Sequence, residues 1–396
     1  MFYDEIILFK TEGHSHFRIP SITATQNGTI LAFCNDRRET VIDHATEAFL
    51  MYARKLPGQP WEEVKVLDQI PGWASTMGAA VYDAQTDTVF CFGTRVLAKT
   101  EWHYYTEEEL KEWNNKEERL AREGGFFRGE ILFSSTDCGE TWRETPVQVI
   151  PRLFQPVIGE EQQIYGYHHG CGIGVQLRHG AHPGRLLCPT RIFTGEYGTW
   201  DEAVAVCYNN SIYSDDHGKT WNASAPVQQG TGEGTLIEDE NGVIHYNSRG
   251  MFCDQKRYLA TSYDCGETYQ DFRTDDFLME EKEIGCNAAL LRVERADLPS
   301  LPEGADSITL FSNPRDASRK RMTICYSFDN GKTWIGTKLV WAGSAAYSSM
   351  TYDPQSHHFF LLYERGPNGQ ECRPHDDGIA LAEFDLEWLL SKENGE

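Results

Sequence analysis

The 396-residue chain has few basic residues for its number of acidic ones, and it lacks long apolar runs. Its 36 lysines and arginines stand against 60 aspartates and glutamates, which gives a formal net charge of −24. This imbalance argues against a general nucleic-acid binder, whose affinity would depend on clustered basic side chains. No uninterrupted apolar run approaches the roughly 18 residues of a membrane-spanning helix. We therefore expect neither nucleic acid nor membrane as a partner.

Recognisable metal and cofactor motifs are also absent. The eleven cysteines include no Cys-x-x-Cys pair, and His168-His169 has no third ligand at a suitable spacing. Gly172-x-Gly174 precedes no predicted helix, so it is no dinucleotide fingerprint. The first residues resemble no signal peptide. We expect no metal or cofactor, and a reduced cytoplasmic protein, with secretion as the alternative if a signal has been removed.

Short apolar runs rich in β-branched and aromatic residues dominate the chain. Examples are residues 29–33 and 88–92, and turn pairs such as Asn27-Gly28 and Asn241-Gly242 separate such runs. This pattern predicts antiparallel β-structure throughout. Residues 106–123 differ, because they are charged and strong helix formers. They predict a short helical insertion, either a surface helix or a lid over a site, and residues 384–391 predict a short terminal helix.

One octapeptide occurs four times, at residues 135–142, 214–221, 262–269 and 327–334. Its consensus is Ser-x-Asp-x-Gly-x-Thr-Trp, with Tyr replacing Trp in the third copy. Each copy follows an apolar run and has the residues of a tight turn. The Asp can accept backbone N–H groups, the Gly can adopt a positive φ, and the Thr hydroxyl can bond the Asp. The unit resembles the Asp-box, or bacterial neuraminidase repeat, and its wide spacing fits one box per four-stranded blade of a β-propeller.

Arginines and carboxylates outside the boxes occur in an order that resembles the sialidase family. Phe17-Arg18-Ile19-Pro20 precedes all four boxes. Glu233 and Arg249 flank a predicted hairpin, Arg319 follows an Asn-Pro loop, and Tyr347 lies in an Ala-Tyr-Ser segment. The resemblance covers residues 10–365. It implies an all-β, six-bladed β-propeller that forms a single catalytic domain over residues 1–396.

The resemblance also implies roles for individual residues. Tyr347 would be the nucleophile, Glu233 its partner and Asp43 the general acid/base. Arg18, Arg249 and Arg319 would bind a substrate carboxylate, because planar guanidiniums form bidentate charge-assisted bonds. The resemblance implies a further substrate-binding arginine, Arg38. Met77, Tyr165 and Tyr167 are candidates for a substrate pocket.

Alternatives to three of these assignments stay open on the sequence. Asp36, Glu39 and Glu47 compete with Asp43, Arg315 and Arg321 compete with Arg319, and Tyr352 competes with Tyr347. The implied function is an exo-α-sialidase that releases terminal sialic acid from glycans with retention, through a tyrosyl-enzyme intermediate. The alternatives are a trans-sialidase, a hydrolase of a related nonulosonic acid, or a non-catalytic sugar-binding propeller. The sequence predicts no oligomeric state.

Overall fold

The computed structural model describes residues 1–39, 47–71, 73–97, 129–147, 149–150, 166–169, 172–194, 204–368 and 376–391. The regular secondary structure of these residues is almost entirely β, as the sequence predicts. The strands are β1 (Tyr3–Lys10), β2 (Phe17–Ala24), β3 (Ile30–Arg37), β4 (Ala48–Lys55), β5 (Lys65–Asp68), β6 (Trp73–Asp83), β7 (Thr88–Leu97), β8 (Gly129–Ser135), β9 (Arg143–Pro146), β10 (Val149–Ile150), β11 (Gly166–His169), β12 (Val175–Gln176), β13 (Leu186–Phe193), β14 (Cys207–Ser214), β15 (Trp221–Ala223), β16 (Thr231–Glu238), β17 (Ile244–Gly250), β18 (Lys256–Ser262), β19 (Gln270–Met279), β20 (Ala289–Glu294), β21 (Ser307–Pro314), β22 (Lys320–Ser327), β23 (Gly336–Asp353), β24 (His358–Arg365) and β25 (Gly378–Phe384).

The predicted terminal helix is present as α1 (Leu386–Leu390), which begins after Asp385. The Asp385 carboxylate accepts a hydrogen bond from the Trp388 N–H, and this caps the helix. The predicted helix at 106–123 lies outside the described residues. No helix in the described ranges is long and apolar enough to span a membrane.

Within the described ranges the strands form four sheets. Their orders are β2-β3-β4-β6-β7-β8-β9 with β5 on β4, β10-β15-β14-β13-β11 with β12 on β13, β16-β17-β18-β19, and β1-β25-β24-β23-β22-β21-β20. Two of these sheets combine two sets of antiparallel strands. A single parallel bridge between Ala48 and Ala74 joins β4 to β6. The long strand β23 pairs with β22 through residues 336–344 and with β24 through residues 345–353.

Six groups of successive antiparallel strands therefore appear in the described part of the chain. We number them group 1 (β2–β5), group 2 (β6–β9), group 3 (β11–β15), group 4 (β16–β19), group 5 (β20–β22 with the first half of β23) and group 6 (the second half of β23, β24, β25 and β1). Antiparallel pairs of this kind bury apolar side chains on their faces. The core consequently lies between neighbouring groups.

All four octapeptides form the predicted turn. In the first copy, Asp137 accepts bonds from both the Thr141 N–H, at 2.9 Å, and the Thr141 hydroxyl, at 2.6 Å. Ser135 donates to Asp137 and accepts from the Gly139 N–H at 2.8 Å. The other three copies repeat these bonds. The Ser side chain therefore stabilises the turn together with the Asp, Gly and Thr of the motif.

The boxes also make contact with the preceding group of strands. A Cβ atom added at Gly139 would lie 2.4 Å from Leu31 of group 1. The same atom at Gly218 would lie 2.5 Å from Phe90 of group 2. The aromatic residue that ends each of these two boxes packs at 5.7 Å against Phe33 and at 4.7 Å against Phe92, respectively. Glycine is therefore needed for close approach as well as for its positive φ.

Candidate active site

Four strands that carry predicted site residues break their regular pairing close to those residues. Register shifts occur in β2 between residues 18 and 21, in β6 between 77 and 80, in β16 between 231 and 234, and in β23 between 345 and 348. A bulge of this kind inserts an extra residue and turns a side chain away from its alternating position. Glu233 and Tyr347 each lie inside such a bulge.

Arg18 occupies a distorted part of β2. The next residue, Ile19, has φ of 61°, which is unusual for a β-branched side chain. Glu364 on β24 stabilises this conformation, because its Oε1 accepts both the Ile19 N–H at 2.9 Å and Arg18 Nε at 2.6 Å. Its side chain is fully buried. The sequence motif predicted Arg18 but not Glu364, which lies 346 residues away along the chain.

Tyr347, Glu233 and Arg249 form the centre of the site. The Tyr347 hydroxyl donates to Glu233 Oε1 at 2.5 Å and accepts from Arg249 Nη1 at 2.8 Å. Arg249 Nη1 also donates to Glu233 Oε2. All three residues are buried. The β16–β17 hairpin brings Glu233 and Arg249 together, as the sequence predicts.

Three guanidinium groups surround the Tyr347 ring. The Cζ atoms of Arg18, Arg249 and Arg319 lie 5.3, 5.9 and 5.6 Å from its centroid. These distances are within the range of cation–π contacts. Arg18 is on β2, Arg249 is on β17 and Arg319 is in the loop before β22, so only the folded chain brings their charges together. Together they form a site suited to a carboxylate.

The charges around Glu233 keep it ionised. Burial acts to raise the pKa of Glu233, but the positive charges of Arg249 and Arg191 and the hydrogen bond from Tyr347 outweigh it and lower the pKa. A carboxylate in this state can accept the proton of a phenol. Arg191, on β13, belongs to no motif recognised in the sequence.

The structure separates several candidates that the sequence left open. Arg315 donates to the Phe277 carbonyl at 2.8 Å and stacks on that ring, while Arg321 is exposed. Tyr352 donates to the Asp297 carbonyl at 2.8 Å, within a different core cluster from Tyr347. Among these residues, Arg319 and Tyr347 are the ones placed at the central cluster.

Four further candidate residues lie within the described ranges. Arg38 is partly exposed, lies over the Phe49 ring, and has Nη1 3.5 Å from Asp36 Oδ2. Asp36 is buried and accepts the Ser15 hydroxyl at 2.9 Å. Glu39 pairs with His14. Glu47 is partly buried.

Four further predicted residues fall wholly or partly outside the described residues. Asp43 and Tyr165 lie outside them. Met77 and Tyr167 are described through the pairing of their backbones with Gly93 and Ile192, and not through their side chains. The roles of these four residues stay predictions. The described residues contain no group of His, Cys, Asp and Glu side chains that could hold a metal ion.

Comparisons with known proteins agree with this geometry. Residues 104–359 match the BNR repeat-like domain. The chain is 30% identical to a sialidase of Micromonospora viridifaciens over 96% of its own length. The chain belongs to the sialidase family with BNR repeats. It spans about half, 53%, of the length of the Micromonospora sialidase.

Solved members of the sialidase family have the same fold. The chain superimposes with a TM-score of 0.71 on the Hadza microbial sialidase Hz136, at 22% identity, covering 95% of this chain and 67% of that one. It superimposes with a TM-score of 0.70 on the intramolecular trans-sialidase from Ruminococcus gnavus in complex with oseltamivir carboxylate, at 18% identity, covering 98% and 99%.

Proposed function

We propose that the chain is an exo-α-sialidase that hydrolyses terminal sialic acid from glycoconjugates. The observation that carries this proposal is the hydrogen-bonded Tyr347–Glu233 pair beneath three guanidinium groups. Sialic acids bear a carboxylate on the anomeric carbon. Arginines that hold this carboxylate would place the anomeric carbon near the tyrosine hydroxyl, and would fix the ring for reaction.

In the first step, Tyr347 attacks the anomeric carbon while Glu233 accepts the phenolic proton. The lowered pKa of Glu233 means that its carboxylate is ionised before the reaction and has an oxygen able to take a proton. The bond to the leaving oxygen breaks, and Asp43 donates a proton to that oxygen. In the second step, water attacks the anomeric carbon and the bond from that carbon to the Tyr347 oxygen breaks. Asp43 accepts a proton from the water, and Glu233 returns its proton to the released Tyr347 phenolate. Two displacements give retention.

A neutral phenol suits this substrate better than a carboxylate nucleophile would. A carboxylate would be repelled by the carboxylate of the substrate, whereas a phenol is uncharged until it reacts. A phenol has a pKa near ~10 and is weak at neutral pH, so it needs a base within hydrogen-bond reach. Glu233 supplies such a base at 2.5 Å.

Trapping the covalent intermediate tests the proposal. A 2,3-difluoro sialic acid should add the mass of one sugar to the wild-type chain, on a peptide that contains Tyr347. Tyr347→Phe should abolish both the label and turnover while circular dichroism is unchanged, and Glu233→Gln should slow labelling. A label on a carboxylate or on Tyr352 would contradict the mechanism, and full activity without any label would indicate an inverting reaction.

A trans-sialidase is the second candidate, because the Ruminococcus gnavus neighbour is an intramolecular trans-sialidase that the chain covers almost completely. Following 3′-sialyllactose by NMR distinguishes the two. Free sialic acid as the product supports hydrolysis, and an anhydro or transferred sialic acid supports the second candidate. A chain that binds sialoside and releases no product would be a sugar-binding propeller.

We further propose that the six strand groups are the six blades of one closed propeller domain. Two observations support this arrangement. First, β2 contacts both β6 and β23, and β20 contacts both β16 and β23. Strands β12 and β13 of group 3 contact both β6 and β16, so the contacts between groups run round a ring. Second, six core clusters lie between neighbouring groups. One of them joins group 6 to group 1, since it contains Phe360 and Leu362 of group 6 and Ala32 of group 1.

A further inference from the structure

The turn between β19 and β20 places two backbone carbonyls against arginines of the site. We call residues 280–286 the carbonyl turn. The Ile284 carbonyl accepts Arg249 Nε at 2.8 Å, and the Gly285 carbonyl accepts Arg319 Nη2 at 3.0 Å. One short turn therefore contacts two of the three guanidiniums around Tyr347. Each bond fixes the orientation of a planar group with five N–H donors.

Two buried carboxylates hold the carbonyl turn in shape. Glu281 accepts the Glu283 N–H at 2.8 Å and the Ile284 N–H at 3.1 Å. Glu280 accepts the Cys286 N–H at 2.8 Å. Both glutamates are at least 95% buried. Buried carboxylates are rarely found without such partners, because leaving one unpaired is costly.

The carbonyl turn is also bonded to β18, which pairs with the strand of Arg249, and to the loop that carries Arg319. Glu280 pairs with the fully buried Arg257, whose Nη1 donates to the Cys286 carbonyl at 2.8 Å. The Lys282 N–H donates to the Ala317 carbonyl, two residues before Arg319, at 3.2 Å. The turn thus connects β18 to the Arg319 loop.

Gly285 brings the turn close to the stem of Arg249. Its φ is 68°, and an added Cβ atom would lie 2.9 Å from the Gly250 carbonyl oxygen and 3.0 Å from Arg249 Cγ. There is no room for a side chain between the turn and this arginine. A small displacement of the turn would therefore move Arg249.

We propose that Glu280 and Glu281 are positioning residues for carboxylate recognition, which they support by holding the carbonyls that orient Arg249 and Arg319. The inference rests on the proposed function, and it adds that the carbonyl turn orients Arg249 and Arg319 before the ligand binds. Donors that are already oriented lose less freedom when a ligand binds. The turn should therefore affect ligands with a free carboxylate far more than ligands without one.

The test compares two inhibitors that differ only at the carboxylate. The probes are 2-deoxy-2,3-didehydro-N-acetylneuraminic acid and its methyl ester, and the measurement is the inhibition constant of each. Glu281→Ala should raise the constant for the acid by about 10- to 100-fold, since charge-assisted bonds are weakened, and should change that for the ester little. Glu281→Gln, which keeps one acceptor oxygen, should show a smaller rise.

Glu283→Gln is the matched control, because it removes the same charge from an exposed side chain of the same turn. It should leave both constants unchanged. If Glu281→Ala does not fold, Glu281→Gln and Gly285→Ala provide the measurement, and Gly285→Ala should also weaken the acid selectively. Circular dichroism and the melting temperature check that each variant is folded.

The inference is overturned if the Glu281 variants weaken acid and ester equally, which would mean a merely structural role, or if they weaken neither. These outcomes presuppose a wild-type chain that cleaves sialosides and prefers the acid. A wild-type chain that does neither would instead refute the proposed function.

Discussion

Arg315 and Arg319 lie close together in the sequence, yet their guanidiniums have different surroundings. Arg319 lies 5.6 Å from the Tyr347 ring centroid, whereas Arg315 lies 4.4 Å from that of Phe277. Arg319→Ala should weaken binding of the dehydrated sialic-acid inhibitor by about 2–4 kcal/mol, because one charge-assisted contact with its carboxylate is lost. Inhibition constants measure this effect.

Arg315→Ala is the control for that prediction. It removes a guanidinium of the same size from the same loop and should leave inhibitor binding unchanged. If Arg315→Ala is the damaging change and Arg319→Ala binds normally, the assignment of the third arginine is wrong.

The pH dependence of activity should reflect the lowered pKa of Glu233. Its ordinary value is 4.5, and the base function is lost only when the carboxylate is protonated. The acidic fall of kcat/KM that belongs to Glu233 should therefore lie below pH 4.5. Arg191→Met removes a positive charge, so the pKa of Glu233 should rise and the acidic fall should move to higher pH.

Arg191→Lys keeps the charge and serves as the comparison for Arg191→Met. It should leave the acidic limb of the pH profile closer to that of the wild type. An unshifted limb in the methionine variant would mean that Arg191 does not influence Glu233.

At the scale of a strand, the bulge in β16 depends on one of its two glycines. A Cβ atom added at Gly234 would lie 2.2 Å from the Tyr246 ring, whereas at Gly232 the nearest atom would be Arg249 Cδ at 3.7 Å. Gly234→Ala should cost about 1–3 kcal/mol of stability through overpacking and should displace Glu233, so that kcat falls. Gly232→Ala should remain close to the wild type in melting temperature. Equal effects of the two changes would contradict this account.

The docking of an Asp-box on the preceding strand group is the second prediction at this scale. Gly218 and Gly58 both have a positive φ, of 79° and 67°. Only Gly218 has a close neighbour, Phe90, since an added Cβ atom at Gly58 would meet nothing within 4 Å. Gly58→Ala should lower the free energy of unfolding by about 1–2 kcal/mol, because alanine is strained in the left-handed conformation. Gly218→Ala should lower it by about 1–3 kcal/mol more, because its side chain would also press against Phe90. Denaturant unfolding measures both changes.

At the scale of the whole molecule, the four boxes contribute a shared dependence of stability on pH. Burial acts to raise the pKa of Asp137, but hydrogen bonds from Thr141 and Ser135 lower it to about 2. The pKa values of Asp216, Asp264 and Asp329 are lowered for the same reasons. A lowered pKa in the folded state means that the stabilisation is complete above the ordinary value and is lost as the pH falls through the folded value.

Asp137→Asn should therefore be less stable than the wild type near neutral pH. The difference in the free energy of unfolding should be constant down to about pH 4 and should shrink towards pH 2. Denaturant unfolding at several pH values gives this difference. A gap that widens as the pH falls would contradict the assigned direction.

The sequence predicted features that have local signatures, and missed those that depend on distant contacts. The four boxes and the Glu233–Arg249 hairpin are each specified by residues close together in the chain, so their geometry follows from turn chemistry. Glu364 has no motif of its own, and its partner Arg18 is 346 residues away. Arg191 and Glu281 likewise take part in the site through packing of separate strand groups. Neither hydrophobic periodicity nor motif spacing reveals such contacts.

The contact of three of the Asp-boxes with earlier strands has a consequence for how the protein is made. Gly139, Gly218 and Gly266 approach Leu31, Phe90 and Leu187, and each of these partners precedes its box in the chain. Because a ribosome releases a chain from its N-terminus, every one of these three docking surfaces has been synthesised before the box that fits it. Strand β1 is the opposite case, since its partner β25 follows it in the chain and is synthesised long after it. Assembly can therefore proceed in the direction of translation for these three boxes, whereas β1 cannot pair until β25 has been made.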